Sequence, residues 1–326
     1  MKIGIMGTGH ITDLVTPTLR ELKEIECYAA ASRTREKAVA FCERYGFEKA
    51  YGTYEEMLSD PAVELVYVVS PHSHHYEHMM QCLEHGKAVL CEKAFTLNAQ
   101  QARRVAEYAA EKKLFVAEAI WTRYMPSRKI IQDAIESGIV GEIRALTANL
   151  FYSVAHKERI TAPELAGGAL LDVGVYGINF ALMHFGTEIE RIESSVQMTE
   201  TGVDGMENIT VFYKDGRMAA ISAGIYSRSD RKGVFYGSKG YIEVENINNP
   251  QSVSVFDDKD RLLQRTEVPA QISGYEYEFL ECEKALREGR TESWSMPLSE
   301  SVRLMETMDG IRAQWGLVYP QEQGEV

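Results

Sequence analysis

The first twelve residues constrain the rest of the chain most. Lys2 to Met6 is a short apolar run, Gly7-Thr8-Gly9-His10-Ile11-Thr12 follows at once, and a helical pattern continues through Leu22. Strand, glycine turn and helix in that order aim free backbone N–H groups and the positive helix end at a phosphate. Gly7 makes the tight turn and Gly9 admits a pyrophosphate, with Thr8, His10 and Ile11 in the same loop. Thr12 stands where a third glycine or alanine is usual. Such a turn, between a strand and a helix at the start of the chain, points to a dinucleotide-binding βαβ unit.

The next hundred or so residues keep this grammar, with strand ends as the places to look for ligand contacts. Cys27 to Ala31 is a second strand that ends in Ser32-Arg33-Thr34-Arg35 before a helix to Tyr45. An NAD site places an acid there to accept from the ribose 2′-hydroxyl; Ser32 and Arg33 instead suit a 2′-phosphate, and Glu26 lies at the wrong end of the strand. NADP is therefore favoured over NAD, against the alternative that Arg33 and Arg35 simply open a solvated helix. Thr53 with Glu56 reads as a capping box, and Leu65 to Val69 as a buried strand ending in Ser70-Pro71-His72. His72 and His75 are candidates for contacts near the nicotinamide. His74 and His78 are spaced i,i+4, but no acid or cysteine stands at ligand spacing, so no metal site is expected. Ala88 to Cys91 ends in Glu92-Lys93-Ala94, which puts an ammonium in the ligand crevice; Asn98 and Gln101 then cap a helix to Lys112. Leu114 to Ala117 closes the sheet and leads into Trp121-Thr122-Arg123. Residues 1–122 thus read as a doubly wound dinucleotide-binding domain.

Beyond Arg123 the pattern changes. A helix from Pro126 to Ser137 and a long strand from Glu142 to Phe151 precede Gly167-Gly168-Ala169-Leu170-Leu171-Asp172-Val173-Gly174-Val175-Tyr176. On a helix, Asp172 and Tyr176 share a face, and the glycines allow something to approach the backbone closely. A plain core helix with one capped Asp and one buried Tyr fits the same stretch. Alternating strands then run over 191–198, 208–213, 218–226, 232–237, 241–245, 252–256 and 262–268, with turns at Asp215-Gly216 and Ser238-Lys239-Gly240. The tail is helical from Tyr275 to Arg287 and from Ser299 to Trp315. Residues 123–326 are expected to form an α+β domain with a large, mainly antiparallel open sheet. Helices would cover one face, and a second subunit would cover the other, in a homodimer or higher oligomer.

The 326 residues carry a net charge of -13, which repels nucleic acid and anionic membrane surfaces, and no basic tract is present. Five scattered cysteines without CxxC spacing point to a reducing cytoplasm, and no apolar run is expected to approach membrane-spanning length.

Taken together, the N-terminal glycine turn, Glu92-Lys93-Ala94, Glu118-Ala119-Ile120-Trp121-Thr122-Arg123 and Gly167 to Tyr176 resemble the Gfo/Idh/MocA oxidoreductases. Trp121-Thr122-Arg123 and Asp172 to Tyr176 look most like the dimeric dihydrodiol dehydrogenase and NADP-dependent D-xylose dehydrogenase branch. The likeness extends over nearly the whole chain, to Gly237-Ser238-Lys239-Gly240-Tyr241-Ile242 and Met308-Asp309-Gly310-Ile311-Arg312. It implies Lys93 as the catalytic lysine, with Ala94 replacing the family's proline, and Asp172 and Tyr176 as its partners. The resemblance further implies Tyr176 as the proton carrier, Lys93 as the group holding the substrate oxygen and favouring the phenolate, and Asp172 on a neighbouring hydroxyl or on Lys93. Trp121, Arg123, Phe151 and His156 are candidate wall residues. The substrate expected is an aldose or vicinal diol. Competing readings are an inositol or other polyol dehydrogenase using NAD, and a sensor of the same fold that binds NADP without turnover.

Overall fold

The computed structural model describes residues 1–323. In chain order the elements are β1 (Lys2–Met6), α1 (His10–Leu19), β2 (Glu26–Ala31), α2 (Arg35–Tyr45), β3 (Lys49–Tyr51), α3 (Tyr54–Leu58), β4 (Leu65–Val68), α4 (His75–Glu84), β5 (Ala88–Glu92), α5 (Ala99–Lys112) and β6 (Val116–Ala119). There follow α6 (Ser127–Glu136), β7 (Ile143–Phe151), α7 (Glu158–Thr161), α8 (Val175–Phe185), β8 (Ile189–Met198), β9 (Asp204–Tyr213) and β10 (Met218–Gly224). The chain closes with β11 (Gly233–Gly237), β12 (Gly240–Val244), β13 (Ser252–Asp257), β14 (Leu262–Glu267), α9 (Glu276–Arg287) and α10 (Leu298–Trp315).

Two compact units result. The first holds Met1–Tyr124 together with Gln271–Met305, and the second holds Met125–Ala270 and the chain from Glu306 onward. A single boundary at 122/123 assigns the 271–305 segment to the second domain; in the structure it returns to the first.

The first unit is built on a six-stranded sheet in the order β3-β2-β1-β4-β5-β6, with every neighbouring pair parallel. The order reverses between β1 and β4, so the ends of these strands flank the crevice where such sheets bind ligands. β3 has only three residues and is one strand more than the alternation in the sequence specifies. Local chemistry sets the helix starts. Thr34 accepts from the Lys37 amide at 3.4 Å, Thr53 from Glu56 at 3.2 Å and Asn98 from Gln101 at 2.9 Å. The expected box at Thr53 is only half formed, because the Glu56 carboxylate reaches past Thr53 to the Gly52 amide at 3.1 Å. Phe279, Cys282 and Ala285 of α9 join Ile5, Leu65, Tyr67 and Leu90 in one apolar core, and Phe279 meets the Tyr67 ring edge-on at 5.1 Å.

The second unit is built on an eight-stranded sheet in the order β14-β13-β12-β11-β7-β10-β9-β8. It is antiparallel except where β7 and β10 run together. Side chains alternate as a two-sided sheet requires. Phe235, Leu146, Ala219 and Val211 line up across the buried face, and Tyr236, Ala145, Met218 and Phe212 across the other. On the exposed row Tyr236 is 42% and Met218 39% accessible. α8 packs on the buried face, so closely that a Cβ added at Gly177 would lie 2.5 Å from Ile221 Cγ2. This element corrects the expectation that no run reaches membrane-spanning length. Pro163–Phe185 is 23 residues long with a mean hydropathy of 1.5, and 83% of its apolar window is buried within the unit. Its hydrophobicity serves helix–sheet packing.

Candidate active site

The glycine turn has the form its sequence implies. Gly7 sits at φ +105°, a conformation side chains rarely adopt, donates its N–H to Ala31 O at 3.0 Å, and would bring a Cβ tightly against Val69 Cγ2, 3.2 Å away. Gly9 is the N-cap of α1 in extended backbone, with no side-chain cap. Its exposed face carries the free amides of the first helical turn, which is what an anionic phosphate needs. Thr12 fits without disturbing this, because its buried hydroxyl donates to Gly9 O at 2.5 Å. Thr8 and Ser32 share a hydrogen bond at 3.2 Å, which ties the turn to the end of β2. There Ser32 is buried and Arg33 exposed, while Glu26 lies at the opposite end of β2 in an ion pair with Lys2 at 3.3 Å. The residues present therefore fit a dinucleotide whose ribose end carries a phosphate.

Around Lys93 the loop is held from several sides. Glu92 is buried; it accepts a short hydrogen bond from the Tyr67 hydroxyl and a longer one, 3.3 Å, from the Lys93 amide. The Lys93–Ala94 peptide is cis. His75 lies beneath it, with Nδ1 2.8 Å from Ala94 O and Nε2 2.8 Å from Ser70 O. Burial pulls this imidazole down to about 4, although two carbonyl partners favour a proton on each nitrogen. Donating to both carbonyls at once needs the doubly protonated ring, which deep burial disfavours, so a neutral His75 donates to only one of them. Glu118 completes the support by accepting the Phe95 amide at 3.1 Å, and burial pushes its carboxyl up to about 7.

The remaining candidates of this unit divide. Ser70 and Pro71 are half-buried at the end of β4, and His72 is buried with its ring edge-on to His75 at 5.6 Å. Trp121 and Arg123 are engaged by the returning tail. The Trp121 ring stacks on Tyr275 at 4.1 Å, and the Arg123 guanidinium donates to Glu300 at 3.2 Å. His74 and His78 stack on each other, and among the described residues no group of three or more His, Cys, Asp or Glu is placed to hold a metal.

In the second unit Asp172 and Tyr176 lie on a helix start that departs from regular α-geometry. Leu170–Gly174 forms a π-helical turn that leads directly into α8. Such wide turns are rare and gather at functional positions. Tyr176 is 9% exposed, and the Asp172 side chain 11%. Asp172 accepts from Arg159 of α7 at 2.9 Å, a partner that its own sequence neighbourhood does not reveal. The glycines allow the close approach expected of them. A Cβ at Gly167 would press on Ile160 O at 2.5 Å, one at Gly168 would overlap the Asp204 carboxylate, and one at Gly174 the Glu207 carboxylate. They admit the protein's own groups. Phe151 is half-buried and His156 exposed in the same unit.

Comparisons with known proteins identify the family. The family model described as "Oxidoreductase family, NAD-binding Rossmann fold" covers residues 1–119, and that of the GFO/IDH/MocA C-terminal domain covers residues 129–243. Over 335 residues the chain is 31% identical to trans-1,2-dihydrobenzene-1,2-diol dehydrogenase of Mus musculus, covering 99% of each chain. To the D-xylose 1-dehydrogenase (NADP(+)) of Hypocrea jecorina it is 35% identical over 370 residues, covering 98% of this chain and 93% of that one. A crystal structure of a 3-ketoreductase from Actinomadura kijaniata in complex with NADP and TDP-benzene superposes with a TM-score of 0.89 at 26% identity, covering 96% of this chain and 97% of the other. With both halves of its sequence matched and whole-length relatives above 30% identity, the chain belongs to the Gfo/Idh/MocA family of oxidoreductases.

Proposed function

We propose that this protein is an NADP-dependent dehydrogenase acting on a CH–OH carbon of an aldose or a vicinal diol. The observation that carries the reading is the presence of Lys93, Asp172 and Tyr176 in a chain whose whole-length relatives are diol and xylose dehydrogenases. NADP is supported by Ser32 and Arg33 at the end of β2, where no carboxylate is available for a ribose 2′-hydroxyl.

Bound nicotinamide supplies the acceptor for the hydride that leaves the substrate carbon, or the donor in the reverse direction. Lys93 donates a hydrogen bond to the reacting oxygen and keeps positive charge beside it. Tyr176 takes the hydroxyl proton as the carbon–oxygen double bond forms, and returns it in reduction. Asp172 accepts from a neighbouring hydroxyl, and Arg159 holds that carboxylate in place. Adjacent hydroxyls are what such donors and acceptors recognise.

Absorbance at the nicotinamide band, with NADP against NAD across aldoses, inositols and vicinal diols, tests the reading directly. Lys93→Met and Tyr176→Phe should each lower kcat by about a hundredfold or more. Retention within about threefold would sink the assignment. A preference for NAD would remove the Ser32–Arg33 argument. Tight NADPH binding without turnover on any of these substrates would favour the sensor reading.

The same proposal extends to assembly. The row Tyr236, Ala145, Met218 and Phe212 offers an apolar sheet face that suits a second copy of the chain, and Tyr236→Asp should convert a dimer to monomer in sedimentation equilibrium. All five cysteines are free thiols, four of them buried, which suits a reducing compartment such as the cytoplasm.

A further inference from the structure

Strand β9 opens with Asp204-Gly205-Met206-Glu207, and both acids point into the interior of the second unit, 0% and 1% exposed. Asp204 Oδ2 accepts the Leu170 amide at 2.5 Å, at the mouth of the π-helical turn. The other Asp204 oxygen and both Glu207 oxygens have no donor, and the two carboxyls lie within hydrogen-bonding reach of each other. Two ionised carboxylates cannot coexist there. Burial pushes both up, and the charge of Asp204 pushes Glu207 further, so Glu207 holds the proton and donates it to Asp204.

These carboxyls touch the helix on either side of Asp172. Asp204 takes the amide two residues before it and occupies the space a Cβ of Gly168 would fill, at φ +123°. Glu207 occupies the space of a Gly174 Cβ, two residues after Asp172 and two before Tyr176. From below, the Tyr319 hydroxyl donates to Gly167 O at 2.7 Å, and the Arg312 guanidinium lies 5.0 Å over the Tyr319 ring. Packing alone does not account for two acids here. Apolar residues of similar volume would fill the core without the cost of desolvating carboxyls. What apolar residues cannot do is hold a particular amide at the open end of a wide turn.

We propose that Asp204 and Glu207 are positioning residues that fix the Leu170–Gly174 turn, and through it the placement of Asp172 and Tyr176. The inference rests on the reading of those two residues as the working groups of the second unit. It also assigns the motif glycines: Gly168 and Gly174 are glycine because the carboxyl pair needs the space.

The test compares Glu207→Gln, whose amide can still donate to Asp204, with Glu207→Leu, which leaves Asp204 without a donor. NADPH dissociation constants, steady-state kinetics and hydrogen exchange of the 167–176 segment are measured on each. Glu207→Leu should lower kcat by about ten- to a hundredfold, as expected for misplaced catalytic groups, with NADPH affinity unchanged. It should also speed exchange of the 167–176 amides, and Glu207→Gln should restore both properties. Should Glu207→Leu not fold, Gly174→Ala takes its place, since its methyl displaces the Glu207 carboxyl; the same split is expected. A Leu variant with kcat and exchange like the parent overturns the proposal. So does a Gln variant as impaired as Leu, or a loss that merely tracks the folded fraction. If Lys93→Met and Tyr176→Phe keep their turnover, the catalytic reading falls. Exchange of 167–176 still decides the positioning: faster in Leu and restored in Gln supports it, unchanged overturns it.

Discussion

Replacing Glu118 by Gln should make the protein more stable in alkaline solution and leave it nearly unchanged in acid. Glu118 is 0% exposed and gives one oxygen to the Phe95 amide. Burial raises its carboxyl from the ordinary 4.5 to about 7. The folded state therefore keeps a proton that the unfolded chain has already lost. Its contribution is fully present below the unfolded value and disappears as pH rises through the folded one. A displacement of this size corresponds to about 3 kcal/mol in all, of which about 1.5 kcal/mol falls between about pH 6 and about pH 8.5. Working above pH 6 also avoids the isoelectric region near 5.2. Glu118→Gln keeps the acceptor for Phe95 and cannot ionise. Urea unfolding followed by the fluorescence of the three tryptophans should show the stability of the variant relative to the parent rising by about 1.5 kcal/mol across that range. A difference between the two proteins that stays constant from pH 6 to 8.5 refutes the reasoning.

Other expectations rest on separate features. Phe235, wholly buried against the rings of Phe180, His184 and Phe185, should cost about 3–5 kcal/mol when cut to Ala, read as a lowered unfolding midpoint. Arg33→Ala should raise KM for NADP by about ten- to a hundredfold, the worth of a charged hydrogen bond, while kcat/KM with NAD stays level in parallel assays. Asp60 accepts from Tyr51 at 2.6 Å, Lys49 at 2.9 Å and Tyr28 at 3.0 Å, which hold its carboxyl well below the ordinary range, Tyr51 foremost. The stabilisation is present above the unfolded value and lost as pH falls, so Asp60→Asn should lose about 1–2 kcal/mol near neutrality. That deficit should begin to shrink below about pH 4 and narrow steadily with further acidification in denaturant titrations.

Most of the architecture was legible because it is written in local patterns. The Gly7–Gly9 turn, the Asn98 cap and the strand alternation from 189 to 267 each depend on residues close together in sequence. The buried acids were also within reach. Glu207 stands in phase with Ile209, Val211 and Tyr213 on the inward side of β9, and a glutamate in that phase is a signal in itself. Arg159 gave no such warning. It is an exposed arginine whose pairing with Asp172 depends on how the loop from Phe151 to Gly167 folds back. The π-helical turn was hidden for a related reason, since the groups that hold it open come from β9, more than thirty residues on. The motif glycines signal a close approach to the backbone, but their spacing does not say that the approaching groups are the protein's own Asp204 and Glu207.

The return of residues 271–305 to the first unit bears on how the chain is made. Phe279, Cys282 and Ala285 fill the core behind β1, β4 and β5, and the Val116 amide donates to Thr291 O at 3.1 Å. A ribosome releases the whole nucleotide-binding sheet long before it releases these partners. During that interval Tyr67 and its neighbours lack part of their cover, and the nascent sheet presents apolar surface to the cell. The second unit's sheet, all of whose strands lie between residues 143 and 267, emerges before the first can be completed. The first unit to begin synthesis is therefore expected to finish folding late. Mutations in α9 should show themselves as poor yield in cells before they register in the stability of the purified protein.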